Sequence, residues 1–332
     1  MRPRSRARVL LVLPWLVASC AADPNYGSET GAAGTGAGGG GMAGGSLVSC
    51  ATGAGGASGG AGGSNVGAPD GGAPNDGGLG GGLDGGVDPN LMLFLLVGQS
   101  NMEGWATAEA SDRIQNPRVK VLGFDNCTNL GRQYNQWYVA SPPLHACFSG
   151  VGPGDSFGRT LAEAYPDKTI GLVPLAISGV DIDYFRKNVV SKRRSEFRIP
   201  PDNHWAGAYE WVIERARLAQ QTGVIRGIIF HQGESDNGDS TWVGKVRGMV
   251  ADLRADLGIG EDVPFIAGEL LYTGCCSLHN PLIGQIPAQI PNSYVVSACG
   301  LTGADDAHFN LAGYRELGIR YGQAMLKALG SR

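Results

Sequence analysis

The sequence carries little charge of either sign. Its 332 residues include 26 Lys and Arg and 30 Asp and Glu, which make up 17% of the chain and leave a net charge of −4. A composition so poor in cations does not build the broad basic surface that binds nucleic acid or an anionic membrane. We therefore expect no nucleic-acid partner and no polybasic contact with a membrane.

Apolar runs long enough to cross a membrane as a helix are also missing. The stretch Val9–Val17 is too short to span a bilayer, and it follows four arginines at the N-terminus. This order is typical of an export signal. The small residues that precede Cys20 resemble a bacterial lipoprotein box, in which Cys20 is lipidated after residues 1–19 are removed. We expect a lipid anchor in the bacterial cell envelope; the alternative is a secreted protein cleaved near Ala21 or Ala22.

The segment from residue 27 to residue 88 has no aromatic side chains and few large apolar ones, and consists mainly of Gly, Ala, Ser, Asn and Asp with scattered Pro. It holds 27 of the chain's 55 glycines, and its Gly38–Gly41 run lacks the Lys-Ser or Lys-Thr that would complete a phosphate-binding loop. Such a stretch buries little apolar surface and loses much backbone entropy on ordering. We expect residues 20–88 to be a flexible tether and residues 89–332 to form one domain.

Cysteines are few, and in an exported chain they favour disulfides over metal ligation. Cys127 and Cys147 are placed to close the loop between them, and Cys299 could pair with Cys275 or Cys276. Cys50, in the tether, has no evident partner. A metal site built from His231, Glu234, Asp236 and His308 lacks any recognised ligand spacing. We expect neither a metal nor another cofactor.

Apolar strands alternate with amphipathic helices in the domain. Strands are predicted at 91–97, 119–124, 169–176, 224–230, 263–271 and 294–298, and helices at 156–165, 205–222, 243–257 and 311–328. This alternation predicts an α/β fold with a central, mainly parallel sheet covered by helices on both faces.

Ser100 follows the first predicted strand two residues after Gly98, at a break that leaves a serine exposed and fixed in direction. The Gly98-x-Ser100-x-Met102 sequence lacks the second glycine of the nucleophile elbow, which argues against a lipase-type α/β-hydrolase. Because active groups gather at the carboxyl ends of parallel strands, we expect Ser100 to lie beside the polar segments that follow later strands.

A serine nucleophile needs a base, and His308 has the best surroundings among the five histidines. It precedes a predicted helix, and Asp305, three residues earlier, could fix the imidazole tautomer, with Asp306 as the local alternative. Donors to the developing oxyanion could be the backbone N–H groups of Ser100 and Gly179 and the side-chain amide of Gln232.

Four sequence blocks together resemble the SGNH (GDSL-type) hydrolases: residues 98–102, Ser178-Gly179, residues 231–234 and Asp305-x-x-His308. More narrowly they resemble the branch of sialate O-acetylesterases and carbohydrate esterase family 6, which includes acetylxylan esterases. The resemblance implies a flavodoxin-like three-layer α/β/α sandwich, a Ser100–His308–Asp305 triad, and an oxyanion hole from Ser100, Gly179 and Gln232. It also implies metal-free deacetylation of a xylan- or sialate-type glycan. Glu234 would either orient His308 or hold the loops of the site.

A different hypothesis is an inactive carbohydrate-binding or adhesive surface lipoprotein on the same fold. The complete set of Ser100, Asp305, His308 and Gln232 argues against it, because binding alone does not need a triad. Trp105 and Trp137, which we expect on loops, are candidates for stacking on a sugar ring.

Overall fold

The computed structural model describes residues 86–192, 196–201, 205 and 207–330. The predicted signal segment, Cys20, Cys50 and nearly all of the predicted tether lie outside the described residues. Within the described part, no helix combines the length and apolar character needed to cross a membrane.

A seven-stranded sheet forms the centre of the domain, in the order β3-β2-β4-β1-β5-β6-β7. The first strand lies in the middle, parallel to β4 on one side and β5 on the other, and the pairing of β3 with β2 is antiparallel. This arrangement confirms the predicted mainly parallel α/β sheet. The strands are β1 Leu91–Gly98, β2 Val119–Leu122, β3 Trp137–Val139, β4 Thr169–Ala176, β5 Val224–His231, β6 Phe265–Gly268 and β7 Ser293–Val296.

Helices cover both faces of this sheet. Alternate residues of β1 point to opposite sides, so Leu93, Leu95 and Val97 join a core with α3 and α4, while Phe94 and Leu96 join a core with α2 and α7. The two separate cores make a three-layer sandwich. The helices are α1 Ser100–Glu103, α2 Pro153–Ala164, α3 Ala208–Gln220, α4 Trp242–Leu257, α5 Asn280–Ile283, α6 Ile286–Gln289 and α7 Leu311–Ala328.

The register of the central strands sets the position of the loops that follow them. Gly98, the last residue of β1, pairs with Ala176 of β4 and with His231 of β5. The three strands therefore end at one level. The residues that come next in the chain, Ser100, Ser178-Gly179 and Gln232, emerge at the same edge of the sheet.

Several element boundaries differ from those predicted. Helix α2 begins at Pro153 instead of residue 156, because the Asp155 carboxylate accepts the Gly152 N–H and extends the first turn. Strand β6 ends at Gly268 instead of residue 271, since the N–H of Leu270 donates to the Asn280 side chain at 2.7 Å.

The disulfides confirm one prediction and correct another. Cys127 and Cys147 are bonded, which closes the loop between them as predicted. The prediction that Cys299 pairs with Cys275 or Cys276 is wrong, because those two adjacent cysteines are bonded to each other.

Candidate active site

Gly98 and Ser100 form a tight turn at the carboxyl end of β1. The φ angle of Gly98 is +149°, and a Cβ atom there would overlap the carbonyl oxygen of His231. This close approach lets the N–H of Gln99 donate to that oxygen at 2.9 Å. Ser100 is the first residue of α1, a position whose N–H has no acceptor inside the helix. The turn thus places Ser100 at the edge of the sheet where the neighbouring loops converge.

His308 and Asp305 are joined through their side chains. Nδ1 of His308 lies 2.9 Å from Oδ2 of Asp305, and Oδ1 of the same carboxylate accepts the backbone N–H groups of Ala307 and His308 at 2.8 and 2.7 Å. Of the two candidate carboxylates, Asp305 is therefore the one that contacts the imidazole. Asp306 instead accepts the N–H of Cys275 with its carbonyl oxygen, at 2.7 Å.

The charge on Asp305 follows from these contacts. Partial burial raises the pKa of its carboxyl, but hydrogen bonds from the His308 ring and from the two backbone N–H groups outweigh this and leave the pKa below its usual value. An ionised Asp305 accepts the proton on Nδ1 of His308, which leaves the lone pair on Nε2. This is the tautomer that a general base needs.

Asn101 connects the Ser100 segment to the His308 loop. Its amide nitrogen donates to the carbonyl of Ala307 at 2.8 Å, and its Oδ1 accepts the N–H of Phe309 at 3.2 Å. The residue next to Ser100 therefore binds both neighbours of His308 in the chain. This role was not predicted from the sequence, where Asn101 is one of several polar residues in the turn.

Glu234 reaches the same loop through Asn101. Its Oε1 accepts from the Asn101 amide at 2.6 Å, and the Tyr314 hydroxyl donates to Asn101 Oδ1 at 2.8 Å. Burial raises the pKa of the Glu234 carboxyl, and the Asn101 hydrogen bond opposes the shift. Of the two roles left open for Glu234, these contacts favour holding the loops, because its side-chain hydrogen bond goes to Asn101 and not to His308.

The Gly179 turn is held by Glu103, another residue that the sequence analysis missed. Gly179 has a φ of +78°, which favours glycine. The preceding Ser178 donates its backbone N–H to Oε2 of Glu103 at 3.0 Å and its hydroxyl to the same oxygen. Burial raises the pKa of Glu103 to about 7, against the lowering effect of these two hydrogen bonds. Glu103 and Ser100 both belong to helix α1. This short helix therefore positions Ser100 and, through Glu103, the Gly179 turn.

Gln232 is 1% exposed, and its amide already has partners. The nitrogen lies within hydrogen-bond distance of Gln99 Oε1 at 3.1 Å, of the Val180 carbonyl at 3.3 Å and of the Asp236 carboxylate. The amide oxygen accepts the indole N–H of Trp242 at 2.7 Å. A substrate oxygen would have to compete with these acceptors for a hydrogen, so the oxyanion role of Gln232 stays a prediction.

Trp105 lies beside His308, with the two ring centroids 5.8 Å apart. It is on a loop and 45% exposed, and its indole N–H donates to Ser178 Oγ at 3.1 Å. The expectation that Trp137 is also on a loop is wrong. Trp137 belongs to β3, where its half-buried ring packs over Gly171 of β4 because a glycine leaves room for it.

The described residues contain no group of three or more His, Cys, Asp or Glu side chains placed to hold a metal ion. His231, one of the four residues considered above as metal ligands, is fully buried, and its Nδ1 lies 3.1 Å from the Tyr321 hydroxyl. Burial lowers the pKa of His231 to about 3, so its imidazole is neutral at physiological pH.

Comparison with known proteins identifies the family of the chain and supports its fold. The profile of a family described as "Carbohydrate esterase, sialic acid-specific acetylesterase" matches residues 90–327. A protein from Arabidopsis thaliana has a similar fold, with 24% identity and a TM-score of 0.59 over 72% of this chain and 99% of that one.

Two further solved structures share the fold. NanS is 18% identical, with a TM-score of 0.56 over 74% of this chain and 100% of its own. A carbohydrate acetylesterase from Xanthomonas citri is also 18% identical, with a TM-score of 0.53 over 72% of this chain and 57% of that one.

Proposed function

Because the chain belongs to the sialic acid-specific acetylesterase family of carbohydrate esterases, we propose that it removes acetyl groups from an O-acetylated glycan of the xylan or sialate type. Ser100 is the nucleophile, His308 the general base and acid, and Asp305 the residue that orients His308. The proposal rests above all on Asn101, which binds both chain neighbours of His308 and sits directly after Ser100.

In the first half of the reaction, Ser100 Oγ attacks the acetyl carbonyl carbon and His308 Nε2 takes the hydroxyl proton. The ionised Asp305 stabilises the imidazolium through Nδ1. The negative charge that develops on the carbonyl oxygen is met by the N–H groups of Ser100 and Gly179 and by the Gln232 amide. The tetrahedral intermediate then collapses, the bond to the sugar oxygen breaks, and His308 returns its proton to that oxygen.

In the second half, water replaces the sugar. His308 takes a proton from the water, the resulting hydroxide attacks the acetyl-Ser100 ester, and the intermediate breaks its bond to Ser100 Oγ and releases acetic acid, which ionises to acetate in solution. His308 returns the proton to Ser100 Oγ, which restores the starting state. Every proton in this cycle passes through Nε2 of His308, and Asp305 stays ionised throughout.

Acetate release from acetylated xylan, acetylated sialic acid and p-nitrophenyl acetate tests the proposal. Wild-type protein is expected to hydrolyse the small ester and at least one of the glycans. The Ser100→Ala variant should lose at least about a thousandfold in kcat, by analogy with the deletion of a triad member. Near-wild-type turnover by a folded Ser100→Ala protein would rule out Ser100, and a wild type that hydrolyses none of these esters would favour the inactive binding protein.

We also propose that the protein is exported and lipid-anchored in the bacterial cell envelope through Cys20, with secretion as the alternative. A flexible tether of about 60 residues has a root-mean-square reach of roughly 40–45 Å, which holds the domain clear of the membrane. Cys20→Ser should abolish membrane retention and leave kcat on p-nitrophenyl acetate unchanged. Mass spectrometry of the mature N-terminus distinguishes the lipid anchor from secretion. A wild-type protein whose N-terminus is unmodified and lies beyond Cys20 would contradict the anchor.

A further inference from the structure

Two large aromatic side chains lie exposed beside His308. Phe148 is 73% exposed and Trp105 is 45% exposed, and their ring centroids are 6.1 Å apart. Trp105 lies between Phe148 and His308, since its ring centroid is also 5.8 Å from that of His308. Exposed apolar side chains that lie together, unlike single ones, are a feature of ligand-binding grooves and other interaction sites.

These rings form one wall of a cleft of about 220 Å³. Arg113 lies on another wall, with an exposed side chain that forms no ion pair within the described residues. The adjacent Asp112, by contrast, is held by Arg315 at 2.9 Å. The cleft therefore offers two aromatic faces and a guanidinium whose donors are open to a ligand.

Both aromatic segments are fixed in place. The Trp105 indole is held by Ser178, and the backbone of Ala106 and Val151 exchanges hydrogen bonds of 3.4 and 2.7 Å. Phe148 follows Cys147, which is bonded to Cys127. A cleft built on tied segments loses little conformational entropy when it binds a ligand.

We infer that this cleft is a sugar subsite next to the acetylated residue and that it stacks a second pyranose ring of the same glycan. The inference rests on the proposed function, because the acetylated sugar must sit over Ser100 and His308 for the cleft to receive its neighbour. Aromatic faces pack against the C–H faces of the ring, and Arg113 donates to its oxygen atoms.

The groove continues beyond this first cleft. A second cleft of about 440 Å³ shares Arg113 and Pro142 with the first and is also lined by Tyr138. A third ring of the chain would enter it. The subsite therefore assigns the substrate class: an oligosaccharide or polysaccharide is preferred over an acetylated monosaccharide.

Chain-length dependence is the test. Acetylated xylose and acetylated sialic acid are each assayed as monomer, dimer and longer oligomer, with p-nitrophenyl acetate as the small ester. For wild type, kcat/KM should be roughly three- to tenfold higher on the dimer than on the monomer. Phe148→Ala should abolish this difference by raising KM for the dimer. Its kcat/KM on p-nitrophenyl acetate should stay within about twofold of wild type.

Matched variants separate stacking from general damage. Phe148→Tyr keeps an aromatic face and should retain the preference for longer chains, whereas Phe148→Leu should lose most of it. Arg113→Gln should raise KM for the oligomers, while Arg226→Gln, an exposed arginine near the start of β5, should not. Equal kcat/KM for wild type on monomer and oligomers, or a preference that survives in Phe148→Ala, would overturn the subsite.

A binding measurement keeps the subsite distinct from the proposed reaction. The Ser100→Ala protein is titrated with unacetylated xylo- and sialo-oligomers by calorimetry, with and without Phe148→Ala. Weaker binding on loss of Phe148 supports the subsite, and it does so even if the wild type hydrolyses none of the esters, a result that would contradict the esterase alone. Equal binding in both proteins contradicts the subsite even if the esterase is active.

Discussion

Asn101→Ala should damage both the stability of the protein and the catalytic geometry. The side chain is completely buried and makes four hydrogen bonds, to Glu234, Ala307, Phe309 and Tyr314. Each buried hydrogen bond contributes about 0.5–1.5 kcal/mol net, and a partner left unsatisfied costs about 1–3 kcal/mol. Some of the four partners will find water in the space left by the amide. We expect the free energy of unfolding to fall by roughly 3–5 kcal/mol.

The effect on catalysis follows from the two contacts that flank His308. Without them the His308 loop loses its fixed position relative to Ser100, and a displacement of about 1 Å can cost about a hundredfold in rate. We expect kcat on p-nitrophenyl acetate to fall by about that factor. KM should change little, because Asn101 is buried and does not face the substrate.

Urea unfolding followed by circular dichroism, together with steady-state kinetics, measures both effects. Tyr314→Phe is the matched control, since it removes one hydrogen bond to Asn101 and leaves the contacts with Ala307 and Phe309 intact. It should cost about 1 kcal/mol and leave kcat within a few-fold of wild type. The reasoning is refuted if Asn101→Ala retains wild-type kcat, or if Tyr314→Phe lowers kcat as much as Asn101→Ala does.

Three further predictions concern single side chains of the site. The pKa of Glu103 is about 7 in the folded protein against 4.5 ordinarily, so the folded state binds more protons between these values and its stability falls as pH rises through them. Between pH 4.5 and pH 7 the free energy of unfolding should fall by on the order of 3 kcal/mol less in Glu103→Gln than in the wild type, as measured by unfolding both proteins at both pH values. The same pH dependence in both proteins would disprove the raised pKa. If the Gln232 amide donates a hydrogen bond to the oxyanion, Gln232→Ala should lower kcat roughly tenfold to a thousandfold at unchanged KM. A loss of stability with wild-type kcat would mean that the role of Gln232 is structural. Asp305→Asn should lower kcat roughly a hundredfold to ten-thousandfold with little change in stability, because the tautomer of His308 is no longer fixed; Asp306→Asn is its control and should be near wild type.

Local patterns were sufficient to predict the layers of the fold and that the segments around Ser100 and His308 lie close together. The apolar run 91–97, with a glycine at its end, marks a central buried strand, and Asn101, next to Ser100, is hydrogen-bonded to both chain neighbours of His308. Strand β3 was missed because three half-buried residues at the sheet edge carry neither a long apolar run nor a clear alternation.

The supporting contacts could not be predicted in the same way. Asn101 binds Glu234, which is 133 residues away, and Tyr314, which is 213 residues away, so its role appears only when the fold brings them together. Glu103 likewise meets Ser178 across 75 residues. Most buried polar side chains have a hydrogen-bond partner, but the sequence alone does not identify which partner.

The central claim is that Ser100 carries the acetyl group during turnover. Wild-type protein is mixed with p-nitrophenyl acetate, quenched in acid during the steady state, digested and analysed by tandem mass spectrometry, with Ser100→Ala treated in parallel. The account predicts one acetyl group on the Ser100 side chain of the wild type, and none at that position in the variant. Turnover without acetylation of Ser100, or with the acetyl group on another residue whose loss stops turnover, would contradict it.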